Sequence, residues 1–176
     1  MGRPGIDRRE MLLVGLAVVL SLTSAACNYR FGGYREGKIK IQSLNIAPFE
    51  NQTRQVGIET LFTNDLVYEV GRGDRITLAA PGSADAVLTG VISNLRANTI
   101  SRQNLNTSLE RRVYVTVELS VKNRQGQQIW NYKLNENEAY IVHPDKVSTE
   151  ANLRFALAKI SQRIAEKFHY RFSQAF

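Results

Sequence analysis

Residues 113–121 read Val-Tyr-Val-Thr-Val-Glu-Leu-Ser-Val, so every second side chain is aliphatic while those between are polar or amphipathic. A period of two suits a β-strand with one dry face and one wet face, and it suits no helix. The chain must therefore provide further strands beside this one and a second layer to cover its dry face. The turn sequence Asn123-Arg124-Gln125-Gly126 follows, and then Gln127–Leu134 with Ile129, Trp130 and Tyr132, which predicts a hairpin.

The remaining elements are read in the same way. Lys38–Phe49 carries Ile39 and Ile41, slips phase at Ser43 and resumes at Leu44 and Ile46, predicting a strand with a bulge that ends at Pro48. From Gly57, the positions Ile58, Leu61, Phe62, Leu66 and Val70 keep helical spacing up to Gly71. Asp74–Ala79 is a short strand candidate. Ala86–Leu95 is a longer one, apolar on both faces like a buried central strand. Ala97–Glu110 reads as a loop. Ser148 is the expected cap of a final helix with the stripe Leu153, Leu157, Ile160, Ile164 and Phe168. The order β, α, β, β, β, β, α predicts an α+β fold: a mainly antiparallel or mixed sheet of four to five strands with two helices on one face.

Ahead of these elements, Arg8-Arg9-Glu10 precedes the apolar run Met11–Leu22 and then Ser-Leu-Thr-Ser-Ala-Ala-Cys, the three-part layout of a secretory signal peptide. The run is too short to span a hydrocarbon core, which takes about 20 residues. Cys27 is the chain's single cysteine and follows Ala25 and Ala26, where cleavage would fall. This resembles the lipobox of bacterial lipoproteins, with Ser24 where Leu is usual. The resemblance implies that Cys27 is the lipid-attachment residue, that palmitate-like acyl chains anchor it, and, with Asn28 next, that sorting leads to the outer membrane. The expected organisation is a signal peptide over 1–26, a lipidated spacer over 27–37 and a single domain over 38–176.

Removing the leader leaves 20 basic residues against 14 acidic, a net +6. Most of that excess sits between Arg96 and Lys133, where seven basic residues face only Glu110 and Glu118. Arg96, Arg102, Arg111, Arg112, Lys122 and Arg124 are therefore the candidate anion-binding residues, since the guanidinium fork matches phosphate and carboxylate. Nucleic acid fits the charge but not an exported, anchored chain. His143 and His169 are the only histidines, without ligand neighbours at metal spacing, so neither a metal nor another cofactor is expected. His169 is read as lying at a helix end. No nucleophile elbow or phosphate loop is present in the sequence, so catalysis is not expected.

Four segments follow one another: Cys27-Asn28-Tyr29-Arg30-Phe31, Ile46-Ala47-Pro48-Phe49-Glu50-Asn51-Gln52-Thr53, Gly57-Ile58-Glu59 with Leu61-Phe62-Thr63-Asn64, and Ala84-Asp85-Ala86-Val87-Leu88-Thr89-Gly90. Taken in this order they resemble the LptE family of lipopolysaccharide-assembly lipoproteins. The resemblance implies an α+β plug seated in the LptD β-barrel, direct lipopolysaccharide binding, and a non-enzymatic role on the periplasmic side of the outer membrane or in the barrel lumen. Tyr114, Thr116, Glu118 and Ser120 would suit a polar lumen. A lipoprotein activator of a peptidoglycan synthase is the alternative. The spacer of about ten residues is short for a stalk reaching through the periplasm.

Overall fold

The structure is a computed structural model, and it describes residues 41–102 and 109–176. The described residues belong to one compact unit. Its elements are β1 (Ser43–Ile46), β2 (Glu50–Asn51), α1 (Ile58–Gly71), β3 (Thr77–Leu78), β4 (Ala86–Arg102), β5 (Leu109–Asn123), β6 (Gln128–Val142) and α2 (Lys146–Ala175). The fold is α+β with a mixed sheet of six strands, slightly more than predicted, in the order β3-β1-β4-β5-β6 with β2 also on β4. The short strands β1, β2 and β3 pair in parallel, whereas β4, β5 and β6 form an antiparallel meander.

The extra strand arises at Pro48. Where a single bulged strand over Lys38–Phe49 was expected, β1 ends at Ile46 and pairing to β4 resumes at Glu50, because Pro48 has no amide to give. Residues 38–40 lie outside the described residues. The ring of Phe49 turns inward at this break and lies under Gly90 of β4. A Cβ on Gly90 would come within less than 3.0 Å of three of its ring carbons. Phe49 cannot yield easily: it is buried, its amide donates to Thr63 Oγ1 at 3.0 Å, and its ring tilts against Phe62.

The alternation in β5 behaves as expected. Val113, Val115, Val117, Leu119 and Val121 are all at most 1% exposed, and the helices cover them. α1 contributes Ile58, Phe62, Leu66 and Val70, while α2 contributes Leu157, Ile160, Ile164, Phe168 and Phe172. Trp130 of β6 closes the end of this layer edge-on to Phe168 and Phe172, with centroids 5.4 and 5.6 Å away. Ser161, buried where the helices meet, donates to Leu61 C=O at 3.5 Å.

Three boundaries differ from expectation. The region read as a loop over Ala97–Glu110 is mostly ladder: β4 continues to Arg102 and β5 begins at Leu109, with residues 103–108 outside the described ones. β6 runs on to Val142 instead of stopping at Leu134. The cap of α2 is Asp145, not Ser148. The Asp145 carboxylate accepts from the amides of Val147 (3.2 Å) and Ser148 (2.9 Å), and the Ser148 hydroxyl also donates to it (2.6 Å). His169, expected at a helix end, lies inside α2 with its ring against Gly73.

Gly90→Ala should lower the unfolding free energy by about 1–3 kcal/mol, the usual range for forcing a methyl into a filled core. Urea denaturation of the variant checks this. Adding Phe49→Leu should recover part of the loss, because it removes the ring that the new methyl strikes.

Candidate functional site on the long hairpin

The β4–β5 hairpin places the candidate basic residues, and two register shifts decide where they point. Ala86, Leu88, Gly90 and Ile92 face the helices; then the ladder slips between Ile92 and Asn94. One extra residue at Ser93 reverses the alternation, so Leu95 faces inward opposite Val115 and Arg96 faces outward opposite Tyr114. A second slip lies between Thr99 and Ser101.

On the outer face Arg96 and Arg112 become diagonal neighbours, since Arg96 pairs with Tyr114 and Asn98 with Arg112. Diagonal partners stand about 7–8 Å apart, within joint reach of one anionic group. The Arg96 guanidinium lies 5.1 Å from the Tyr114 ring centroid, a cation–π arrangement that holds it flat on the sheet. Arg112 Nε is buried without a hydrogen-bond partner. Among the described residues neither arginine has a carboxylate within 4.0 Å.

The other candidates are elsewhere. Arg111 lies on the opposite face, in register with Thr99 and Tyr140. Lys122 shares the outer face but is ten residues along β5 from Arg112, or about 33 Å. Arg102 ends β4 opposite Leu109. Cys27 lies outside the described residues. Arg124 is occupied: it meets Asp85 at 3.1 Å and donates to the carbonyls of Ala84 and Ser83 at 2.9 Å each. Its role is to fasten the β5–β6 turn to the start of β4.

Asp85 is the other half of that fastening, and sequence reasoning passed over it as a functional group. Its carboxylate accepts from Ser43 Oγ (2.8 Å) and from the amides of Ser43 (3.0 Å) and Gln42 (3.2 Å). The Ser43 hydroxyl, then these two amides, hold it below the usual carboxylate range.

A second set of charges was also missed. Glu136 and Glu138 take inward positions on β6, where aliphatic residues would be expected, and α2 covers them with cations. Lys159 meets Glu138 at 3.3 Å; Arg163 meets Glu138 at 2.8 Å and Glu136 at 3.5 Å; Lys167 pairs with Glu136. The Arg163 hydrogen bond is the main reason that Glu138 stays ionised below its ordinary range. These cations of α2 are therefore largely consumed within the fold rather than forming a free basic face. On the outer face, Lys133 lies 2.8 Å from Glu118 and depresses its pKa.

Among the described residues no group of three His, Cys, Asp or Glu is gathered to hold a metal, and no helix is long and apolar enough to cross a membrane. A family model described as lipopolysaccharide-assembly, LptE, matches residues 41–172, which is 132 of the 176 residues. The chain belongs to the LptE family. Its members are outer-membrane lipoproteins of lipopolysaccharide assembly and form no known enzyme class. No curated protein sequence matches it.

Solved structures are similar to this chain at low identity. The hypothetical protein CT253 from Chlamydia trachomatis is similar with a TM-score of 0.52 and 12% identity, covering 75% of this chain and 95% of that one. Protein XCC0632 from Xanthomonas campestris gives 0.50 at 10% identity, covering 78% and 90%. Rare lipoprotein B from Shewanella oneidensis gives 0.49 at 14% identity, covering 76% and 95%. At such identities the likeness concerns the fold alone.

The depressed carboxylates fix the sign of the pH response. A group whose pKa is lower in the folded state contributes stability that is complete above its unfolded value and is lost as pH falls through the folded one. Asp85, Glu118, Glu138 and Asp145 all shift in this direction. Unfolding free energy measured with urea should therefore stay level down to about pH 5 and decline below about pH 4. Asp85→Asn should lower stability at pH 7 and flatten that acid decline.

Proposed function

We propose that this protein is a non-enzymatic, lipid-anchored partner of the LptD β-barrel that binds lipopolysaccharide through basic side chains of its long hairpin. The match of the lipopolysaccharide-assembly family model over 132 residues carries this reading. The leader over 1–26, acylation of Cys27, the spacer over 27–37 and the domain over 38–176 complete it. Lipid A phosphates are the anions that an exported basic domain in this setting would meet, and Arg96 with Arg112 is the pair best arranged to take one. Arg111 would reach such a ligand only from the other face of the hairpin. Arg102 and Lys122 extend the positive charge along it, and Arg124 contributes through its hold on the turn.

Two features support the arrangement. The outer sheet face carries Tyr114, Thr116, Ser120, Asn131 and Asn135 with the Glu118–Lys133 pair, a polar surface suited to a barrel lumen. In addition, Leu44 of β1 stands opposite Ala86, whereas Arg96 lies ten residues further along β4, about 33 Å away. The arginine pair therefore stands at the end of the hairpin remote from β1.

Charge reversal of the pair, Arg96→Glu with Arg112→Glu, should weaken lipopolysaccharide binding at low salt at least about tenfold, the scale of losing one or two charge-assisted hydrogen bonds. Co-purification with LptD should survive. Unchanged lipid affinity would remove these residues from the site. Failure of the mature, acylated wild-type protein to bring down a large barrel protein would overturn the partnership.

A further inference from the structure

Among the described residues β6 has a neighbouring strand on one side only. In an antiparallel ladder, the backbone groups of alternate residues point toward the partner strand and away from it. The partners of the away-pointing set on β6 identify it. Asn137 C=O accepts from Arg163 Nη2 at 2.7 Å, and Ile141 C=O accepts from Asn152 Nδ2 at 2.9 Å. Just beyond the strand, His143 N–H donates to Thr149 Oγ1 at 2.8 Å, and that hydroxyl donates to His143 C=O at 3.0 Å. Side chains of α2 thus occupy much of one half of the edge. Asn131, Lys133 and Asn135 belong to the same set, and among the described residues no hydrogen bond reaches their away-pointing backbone groups.

This open stretch borders a groove of about 630 Å³ between β6 and the C-terminal half of α2, lined in part by Tyr132, Leu134, Glu166, Tyr170 and Arg171. Tyr170 is 64% exposed there. Arg171 lies 4.4 Å from the Tyr132 ring centroid and forms one wall. Lys133 turns to the other side of the sheet, beside Glu118. A strand added here would meet Tyr170 with one set of its side chains and Lys133 with the other.

The charge at position 133 selects among occupants. Two copies of this chain pairing antiparallel over so short a window would set Lys133 against Lys133 of the second copy, and like charges directly opposite one another destabilise a sheet. An edge lysine is a common device against such self-pairing. An opposing carboxylate turns the same position into an attraction.

We propose that the edge of β6 from Asn131 to Asn135 takes up an extended segment of a partner protein as an added strand, with an acidic residue facing Lys133 and an apolar residue against Tyr170. Backbone hydrogen bonds supply the affinity and these two positions the selectivity. The proposal does not depend on lipid binding, because it concerns a polypeptide and a different edge of the sheet.

Amide hydrogen exchange on the full chain tests it, with the probe acetyl-Thr-Glu-Val-Glu-Val-Glu-Thr-amide and a control in which each Glu is Lys. In the free protein the amides of residues 131, 133 and 135 should exchange quickly. At millimolar acidic peptide they should slow about tenfold or more, and the Lys control should bind at least about fivefold more weakly. Lys133→Glu should reverse that preference. The proposal is overturned by an absence of added protection at these amides, by protection confined to other residues, or by a preference that Lys133→Glu leaves unmoved. Slow exchange in the free protein would also overturn it, because the chain's own residues would then already fill the edge.

Discussion

The folded domain is organised by the interior strand β5, which divides the sheet into a side that must be dry and a side that must be wet. Five aliphatic side chains, Val113 through Val121, are essentially excluded from solvent on one face. Each contributes about 1.5–3 kcal/mol when fully buried, so a slip of one residue in register would reverse a large part of the stabilisation at a stroke. That constraint fixes β4 on one side, β6 on the other, and both helices on the same face. It also fixes the polar surface opposite, which carries Tyr114, Thr116, Glu118 and Ser120.

The second helix does more than cover this core. Its apolar stripe packs on β5 and β6, while its basic flank neutralises Glu136 and Glu138 and Arg163 also ties up a carbonyl of the sheet edge. Inward-facing carboxylates on an outer strand discourage uncontrolled strand pairing, provided that something neutralises them. Here one helix supplies both the counter-charges and the cap. The consequence is that α2 and β6 behave as a matched pair, and the local excess of positive charge moves from the helix to the hairpin.

Much of this was legible in the residues. Alternation in Val113–Val121 and the 4-3-4-4 spacing of Leu153 to Phe168 both report burial directly, and both elements were found where they were expected. The failures share a cause. Beyond Leu95 and Leu134 the strands are held by backbone ladders, with Ala97, Thr99, Glu136 and Glu138 at inward positions, so hydrophobicity ceases to mark them. The cap at Asp145 was missed because Ser148, which bonds to it, is an equally good capping residue in isolation. Of the site, the wealth of arginine was visible. The partnership of Arg96 with Arg112 was not, because it depends on a ladder irregularity that no residue type announces, and Asp85 and Glu136 find their partners only in three dimensions.

That irregularity is the single extra residue at Ser93. Because it inverts the order of faces from Asn94 up to the second slip beyond Thr99, this part of the hairpin is governed by residue count as much as by residue identity. Pairing β4 straight through, with Ser93 opposite Thr116, would turn Arg96 toward the helices and Leu95 toward water without changing any letter of the sequence. The bulge is thus a switch of surface character: the way the ladder closes over one residue decides whether the cationic pair lies on the wet face, with the hydrophobic layer beneath β5 left as it was.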